Sequence, residues 1–183
     1  MDKSVLVLIT GMAGSGKTTF AQFFQEYGFK VLIMGDIIRR LAEEMKMDLD
    51  SASLGKVAEE IRIKEGGGIV AEECLKIIKK EQYLRVVIDG IRSLDEVEVF
   101  RRDYSFKLIA LHASPKTRFE RLVARGRSDD ADQEKIMIDR DLRELRFGVG
   151  SAIAMADYMI VNEGSIQDLR KKFEELITCL SPR

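Results

Sequence analysis

Short, unbroken apolar runs alternate along this chain with stretches in which apolar residues return every three or four positions. Val5–Ile9, Val31–Met34, Val86–Ile88, Leu108–Leu111 and Tyr158–Val161 are rich in Val, Ile and Leu and lack the polar alternation of a half-wet strand. Such runs predict strands buried on both faces, as in parallel sheets. Helical spacing covers Lys17–Glu26, Ile37–Lys46, Leu54–Lys64, Val70–Lys80, Leu94–Arg101, Lys116–Ala124 and Lys135–Leu145, and a last helix is expected over Ile166–Leu180. Alternation at this interval predicts an α/β fold, a doubly wound five-stranded parallel sheet with helices on both faces. A length of 183 residues suits a single domain.

Charge changes this picture little. With 33% charged residues but a formal net charge of −1, the chain lacks the basic surplus of a general nucleic-acid or membrane-surface binder. Any basic function must be local. Cys74 and Cys179 have no CxxC neighbour, so neither a disulfide framework nor a zinc site is suggested, and both read as small buried or half-buried hydrophobes. The apolar run Val5–Ile9 is too short for a signal-peptide core or a membrane span. A soluble, cytoplasmic chain is expected.

The segment "GMAGSGKT", Gly11–Thr18, fits G-x-x-x-x-G-K-[ST] between an expected strand and an expected helix. Its glycines allow a turn whose backbone N–H groups converge on an anion, and the helix that follows adds its positive end. Gly11, Met12, Ala13, Gly14, Ser15, Gly16, Lys17, Thr18 and Thr19 are therefore the expected cradle for ATP. Lys17 would reach the β- and γ-phosphates, and the Thr18 hydroxyl would face Mg²⁺. A glycine-rich turn that binds nothing explains the same letters less well.

Further residues collect at the ends of the next strands, where open α/β sheets bind ligands. "GDIIR", Gly35–Arg39, resembles the acceptor-site motif of adenylate kinases, and its Asp-Ile-Ile is similar to the segment that carries the catalytic aspartate in dephospho-coenzyme A kinases. By the first resemblance Arg39 holds the acceptor phosphate; by the second Asp36 takes the acceptor's proton. Asp36 also suits a helix cap. Asp89 closes the third run in "VVIDGIRS" as a Walker B carboxylate would, facing Mg²⁺ or its waters. "DGIR" is similar to the aspartate-glycine-aromatic-proline-arginine motif of nucleoside monophosphate kinases, but it lacks the proline and brings Arg92 one residue closer. It also lacks the acidic-proline-leucine motif of a dephospho-coenzyme A kinase. Arg92 is nonetheless an acceptor-site candidate.

"RFERLVARGRSDD" resembles the arginine-rich approach to the lid of small P-loop kinases. Arg118 and Arg121 read as a surface stripe paired with acids, Arg125 and Arg127 as catalytic lid arginines, and Arg140 and Arg143 as further lid cations. "ADYMIVNEGSIQDLRKKFEEL", Ala156–Leu176, closely resembles the C-terminal segment of dephospho-coenzyme A kinases, whose turn lies against adenine. Asn162, Glu163 and Gly164 are then candidates for the base edge, although a last strand followed by a Ser-capped helix also explains them. His112 stands without a second His or Cys nearby and reads as a loop or core residue. Gly66–Gly68 disfavour helix by roughly 1 kcal/mol each and mark a hinge, or a close approach to acceptor.

The resemblance spans nearly the whole chain, which is identified as a member of a small archaeal-type group of P-loop kinases related to both families. It implies a nucleoside-monophosphate-kinase-like domain over residues 1–183, with a core (1–36, 81–125, 146–183), an acceptor-binding flap near 37–80 and a short lid near 126–135. It further implies transfer of the ATP γ-phosphoryl, with Mg²⁺, to a small-molecule acceptor of the nucleoside monophosphate or dephospho-coenzyme A type. The alternative is an ATP-hydrolysing switch, or an RNA- or protein-assembly ATPase of the adenylate-kinase-like type. A guanine-reading Asn-Lys-x-Asp motif is absent, which weakens a GTPase reading. Nothing in the sequence bears on oligomeric state.

Overall fold

Successive residues of the first strand, β1 (Val5–Thr10), enter two different cores. Val7 and Ile9 pack with Phe20, Ile109, Leu111 and Phe173 on one side of the sheet. Leu6 and Leu8 pack with Ile38, Ala71, Val86, Ile88 and Phe100 on the other. This is the period of two expected of a strand covered on both faces. Each such Val, Leu or Ile contributes about 1.5–3 kcal/mol of burial.

The computed structural model of the protein describes residues 5–124 and 132–180. After β1 the elements are α1 (Lys17–Phe23), a 3-10 turn (Phe24–Tyr27), β2 (Lys30–Ile33), α2 (Met34–Glu44), α3 (Ser51–Glu65), α4 (Ile69–Glu81), β3 (Arg85–Ile91) and α5 (Leu94–Asp103). They continue with β4 (Phe106–His112), α6 (Pro115–Ala124), α7 (Asp132–Phe147), α8 (Val149–Ala154), β5 (Tyr158–Val161) and α9 (Ile166–Leu180). The five strands are all parallel, in the order β2-β3-β1-β4-β5. From β1 the chain first builds β2 and β3 on one side and then crosses to β4 and β5 on the other. The order therefore reverses at β1, and its carboxyl end opens the crevice in which such sheets bind ligands. Register sets Asp89 beside both Ile9 of β1 and Ile33 of β2. A bulge follows at once, because Thr10 pairs with Ile91 and skips Gly90, and the Thr10 hydroxyl donates to the Ile91 carbonyl at 2.8 Å. Among the described residues no helix is long and apolar enough to cross a membrane.

Several boundaries differ from the sequence pattern for identifiable reasons. Helix α2 begins at Met34 rather than Ile37, because the buried Met34 turns straight from the strand into the helix core. Asp36 is thus in the first turn of α2 and is not its cap; the cap position belongs to Ile33 and has no side-chain hydrogen bond. An acid there still complements the helix end. Helix α8 was not foreseen: six residues are too few to show a period, yet Val149 and Ala152 are fully buried. Cys74 is buried as expected, but Cys179 is exposed on α9. In contrast, α9 opens as the pattern suggests, with Ser165 and Asp168 capping each other's backbone N–H groups.

At the three glycines 66–68, expected as a hinge or an acceptor contact, the structure shows close packing at two positions. Gly66 ends α3 with φ 99°, and Gly68 precedes α4. A Cβ on Gly67 would lie 2.2 Å from Asp95 Oδ2, and one on Gly68 would lie 2.6 Å from Val99 Cγ2. The glycines let the α3–α4 corner press against α5. Gly68→Ala is expected to cost about 1–3 kcal/mol through overpacking, read as a lower urea midpoint. Val99→Ala added to it should cost less than the two changes summed; full additivity would show that the corner does not depend on this contact.

Candidate active site

Between β1 and α1, residues 11–16 carry almost no side-chain bulk, so their backbone must be held by groups from elsewhere. Three of the carbonyls are. The Lys17 ammonium folds back onto the Met12 carbonyl at 3.0 Å. Arg118 of α6 donates to the Ala13 carbonyl at 3.0 Å. The Asn162 amide, just past β5, donates to the Ser15 carbonyl at 2.9 Å. In a planar trans peptide the C=O and the following N–H point in opposite directions, so each anchor also aims the next N–H. The close seating excludes side chains: a Cβ on Gly14 would lie 2.8 Å from the Arg118 carbonyl oxygen, and one on Gly16 would lie 2.4 Å from Asn162 Nδ2.

Arg118 is the reverse of the surface arginine expected of it. It is 4% exposed and forms a two-pronged pair with Asp141 of α7, at 3.0 and 2.6 Å. Arg118 thus has the acid expected of it but not the surface position, whereas the Arg121 guanidinium donates to the carbonyls of Asn162 and Gly164, each at 2.9 Å. Glu163 accepts from the Ser114 N–H and the Thr117 hydroxyl, and these hydrogen bonds hold its carboxyl below the usual range. All three residues proposed for the base edge thus fasten the C-terminal turn to the loop and to α6. An edge-to-face phenylalanine cluster, Phe20, Phe23, Phe24 and Phe173, secures α9 on α1 and the 3-10 turn that follows it.

At the strand tips, Asp89 is 2% exposed, and its Oδ2 accepts from the Thr18 hydroxyl at 2.7 Å. Its Oδ1 and the Ser15 hydroxyl are buried without a hydrogen-bond partner among the described residues. Buried polar atoms left so cost about 1–3 kcal/mol each. A buried carboxylate oxygen beside a threonine hydroxyl, next to a cradle of N–H groups, fits Mg²⁺ with a triphosphate. Burial pushes the Lys17 ammonium below its ordinary pKa, against the pull of Asp89 and Glu144. Lys17 therefore stands in a half-buried, acid-flanked place where a phosphate would replace lost solvation.

A cleft of about 640 Å³ opens beside the loop, between α2 and α3 on one side and α6 and α7 on the other. Arg39, Arg92, Arg140 and Arg143 line it, together with an apolar wall that includes Ile38, Leu54, Phe119, Met137 and Phe147. Arg92, Arg140 and Glu144, which line the cleft, all act electrostatically on Lys17. Burial, and then the neighbouring Arg140, lower the Arg143 pKa. Arg143 lies across α3 at Gly55, where a Cβ would come 2.3 Å from its Cζ. Position 55, without a side chain, leaves room for this guanidinium. Arg39 lines the cleft and pairs with the exposed Asp36 one turn earlier. Arg92 has its backbone N–H fixed by Glu96 at 2.7 Å, and the same carboxylate pairs with Arg62 of α3 at 2.7 Å. Arg125 and Arg127, and the lid expected near 126–135, lie outside the described residues except for its end in α7.

Two functional side chains escaped the sequence reading. Glu144 is 3% exposed and pairs with Arg92 at 3.3 Å and Arg140 at 3.1 Å. The four-residue spacing to Arg140 is a signal for the second contact; nothing in the sequence signals the first. Asp141, the partner of Arg118, is likewise invisible across 23 positions.

Known proteins resemble this chain in sequence and in fold. A family model described as an AAA domain matches residues 7–142. The UPF0200 protein of Methanocaldococcus jannaschii is 39% identical, with 94% of this chain and 89% of the relative covered. The UPF0200 protein of Thermococcus kodakarensis is 40% identical over 94% of this chain and 96% of its own. Among solved structures, a Thermus thermophilus protein superposes with a TM-score of 0.67 at 20% identity, covering 98% of this chain and 100% of its own. The shikimate kinase of Acinetobacter baumannii, in complex with shikimate, gives a TM-score of 0.58 at 18% identity, covering 99% and 96%. At such identities the solved structures establish a shared P-loop kinase-like α/β fold.

Removing the Arg118 guanidinium is expected to leave Asp141 buried and alone. Arg118→Ala should lower stability by about 3–5 kcal/mol in denaturant titrations and weaken nucleotide binding by calorimetry at a temperature where the variant is folded. Unaltered nucleotide affinity would mean that the loop keeps its shape without this anchor.

Proposed function

The chain belongs to the UPF0200 family, and we propose that within its P-loop fold it is an ATP-dependent kinase whose acceptor is a small anionic molecule of the nucleotide type. One observation carries the reading. Arg92, Arg140 and Glu144 of the arginine-lined cleft are near enough to the Lys17 ammonium to act on its charge, which supports a second ligand in the cleft with its reactive end toward a terminal phosphate on the loop. The cleft combines an apolar wall with four guanidinium groups. An apolar wall suits a base or a similar flat group, and arginine forks suit phosphate oxygens.

In this reading the backbone of Gly11–Gly16 and Lys17 bind the triphosphate, while Thr18 and Asp89 hold Mg²⁺ or its waters. Bound Mg²⁺ would neutralise charge on the β- and γ-phosphate oxygens. Thr19 continues the cradle into α1. Asn162 and Gly164 serve the nucleotide by bracing the loop from behind. Arg39 and Arg92 orient the acceptor, and Asp36, held by Arg39, is the proposed proton acceptor where the acceptor group is a hydroxyl. Arg140, with Arg125 and Arg127, supplies the cations that spread charge in the transition state. Residues 37–80 form the acceptor-binding flap of this scheme. Its α3 is tied to the core through the buried Arg62–Glu96 pair.

Labelled ATP offered with nucleoside monophosphates, dephospho-coenzyme A and RNA is expected to yield a labelled small molecule. Free phosphate alone, whatever the acceptor, would instead identify an ATPase. Lys17→Ala should abolish the transfer while leaving the thermal unfolding curve close to wild type.

Cleft variants separate binding from chemistry. Arg39→Ala is expected to raise the acceptor KM, and Arg140→Lys, which keeps the charge but removes the fork, to lower kcat at least tenfold, about 1.4 kcal/mol of barrier. ATP affinity should change little in either. Loss of ATP affinity in both to the same degree would make these arginines structural.

A further inference from the structure

Arg39, Arg92, Arg140 and Arg143 line the cleft, and the acid Glu144 stands among them. Glu144 lies on α7 between Arg92 and Arg140 and faces the same cavity as both. Its side chain is 4% exposed. A carboxylate this enclosed needs its partners, and they need it, since a buried charge left unpaired is strongly unfavourable. The manner of pairing is economical: one oxygen, Oε1, serves Arg92 NH2 at 3.3 Å and Arg140 Nε at 3.1 Å. Neither contact is the two-pronged arrangement that Arg118 makes with Asp141. Two forks are thus gathered around a single oxygen, with donors left over. A phosphate monoester brings three oxygens and up to two charges to the same place, and such bidentate contacts are the stronger ones.

Other features fix the forks in readiness. The backbone of Arg92 is held by Glu96 at 2.7 Å, and Arg140 sits one helical turn from Glu144 on a helix locked to α6 through Asp141. The side chains can turn toward a new partner while their roots stay in place.

We propose that Glu144 is an internal stand-in for the acceptor's phosphate: it gathers Arg92 and Arg140 in the unliganded cleft, and an incoming phosphate monoester must take at least one of them from it. The idea rests on the reading of this cleft as the acceptor site. Glu144 then has two effects. It keeps the arginines from repelling one another before the acceptor arrives, and it competes with the acceptor afterwards, which weakens binding and favours release of the more highly phosphorylated product.

The test is isothermal titration of inorganic phosphate and of adenosine 5′-monophosphate into wild type, Glu144→Gln and Glu144→Asp, each saturated with a non-hydrolysable ATP analogue and Mg²⁺ so that the loop is filled. Glu144→Gln keeps the shape and removes the charge, and it is expected to bind both probes at least tenfold more tightly than wild type. Glu144→Asp, which keeps the charge on a shorter stem, should fall between them and stays informative if the Gln variant folds poorly. In thermal unfolding, phosphate should raise the Tm of Glu144→Gln by more than that of wild type, an effect a purely structural glutamate would not produce. Equal or weaker phosphate binding by both variants overturns the proposal, even if the monophosphate binds wild type and the acceptor reading stands. Tighter phosphate binding by Glu144→Gln with no monophosphate binding by any form upholds the proposal and removes the nucleotide from the acceptor reading. Absence of phosphate binding in all three forms overturns the proposal.

Discussion

A loop that binds an anion through its backbone must turn its own carbonyls away. Six residues with few side chains cannot do so by themselves, and here Lys17, Arg118 and Asn162 each take one carbonyl, from within the loop, from α6 and from the turn after β5. The anchors come from segments 105 and 147 positions distant in two of the three cases. Much of the remaining architecture makes sense as the means of bringing those anchors to the loop. The parallel sheet puts β4 beside β1 and β5 beside β4, Pro115 starts α6 just beyond β4, and the phenylalanine cluster seats α9 under the C-terminal turn.

The opposite side of the sheet prepares the cleft. Glu96 is fully buried, and it spends one oxygen on Arg62 and the other on the Arg92 backbone. Arg62 in turn stacks on Phe147 at the end of α7, 4.7 Å from the ring centre. A single acid thereby fixes three cleft-forming elements, α3, the β3–α5 turn and α7. Burying such a charge is worthwhile only with full pairing, and the pairing is what gives the cleft its shape.

Local order was legible in the sequence wherever it followed from short-range chemistry. The five strands, the phosphate loop and the Ser165 cap are written in runs, glycine spacing and a three-residue box, and the structure places them where the pattern does. Asp89 was legible too, because an acid closing an apolar strand has few structural uses. Arg118 was misread because its meaning depends on Ala13 and Asp141, neither of which is near it in sequence. Gly66–Gly68 look like flexibility to a reader of propensities, but Asp95 and Val99 occupy the space that side chains on Gly67 and Gly68 would need, and Gly66 has a positive φ. Helix α8 left no trace because tertiary burial, rather than any period, holds it. Glu144 shows the same limit: its helix neighbour Arg140 is visible, but Arg92 reaches it only through the fold.

The bracket that Arg118 forms has two ends. One grips the Ala13 carbonyl at the loop; the other grips Asp141 on α7, next to Arg140 in sequence and one turn before Glu144. A ligand that displaces α7 therefore disturbs the loop through a single stiff side chain, and a ligand that tightens the loop bears on α7 by the same route. Free energy exchanged along such a link has no preferred direction. Whatever factor the first ligand applies to the affinity for the second, the second must return to the first, so the two halves of the crevice form one thermodynamic cycle rather than two independent compartments.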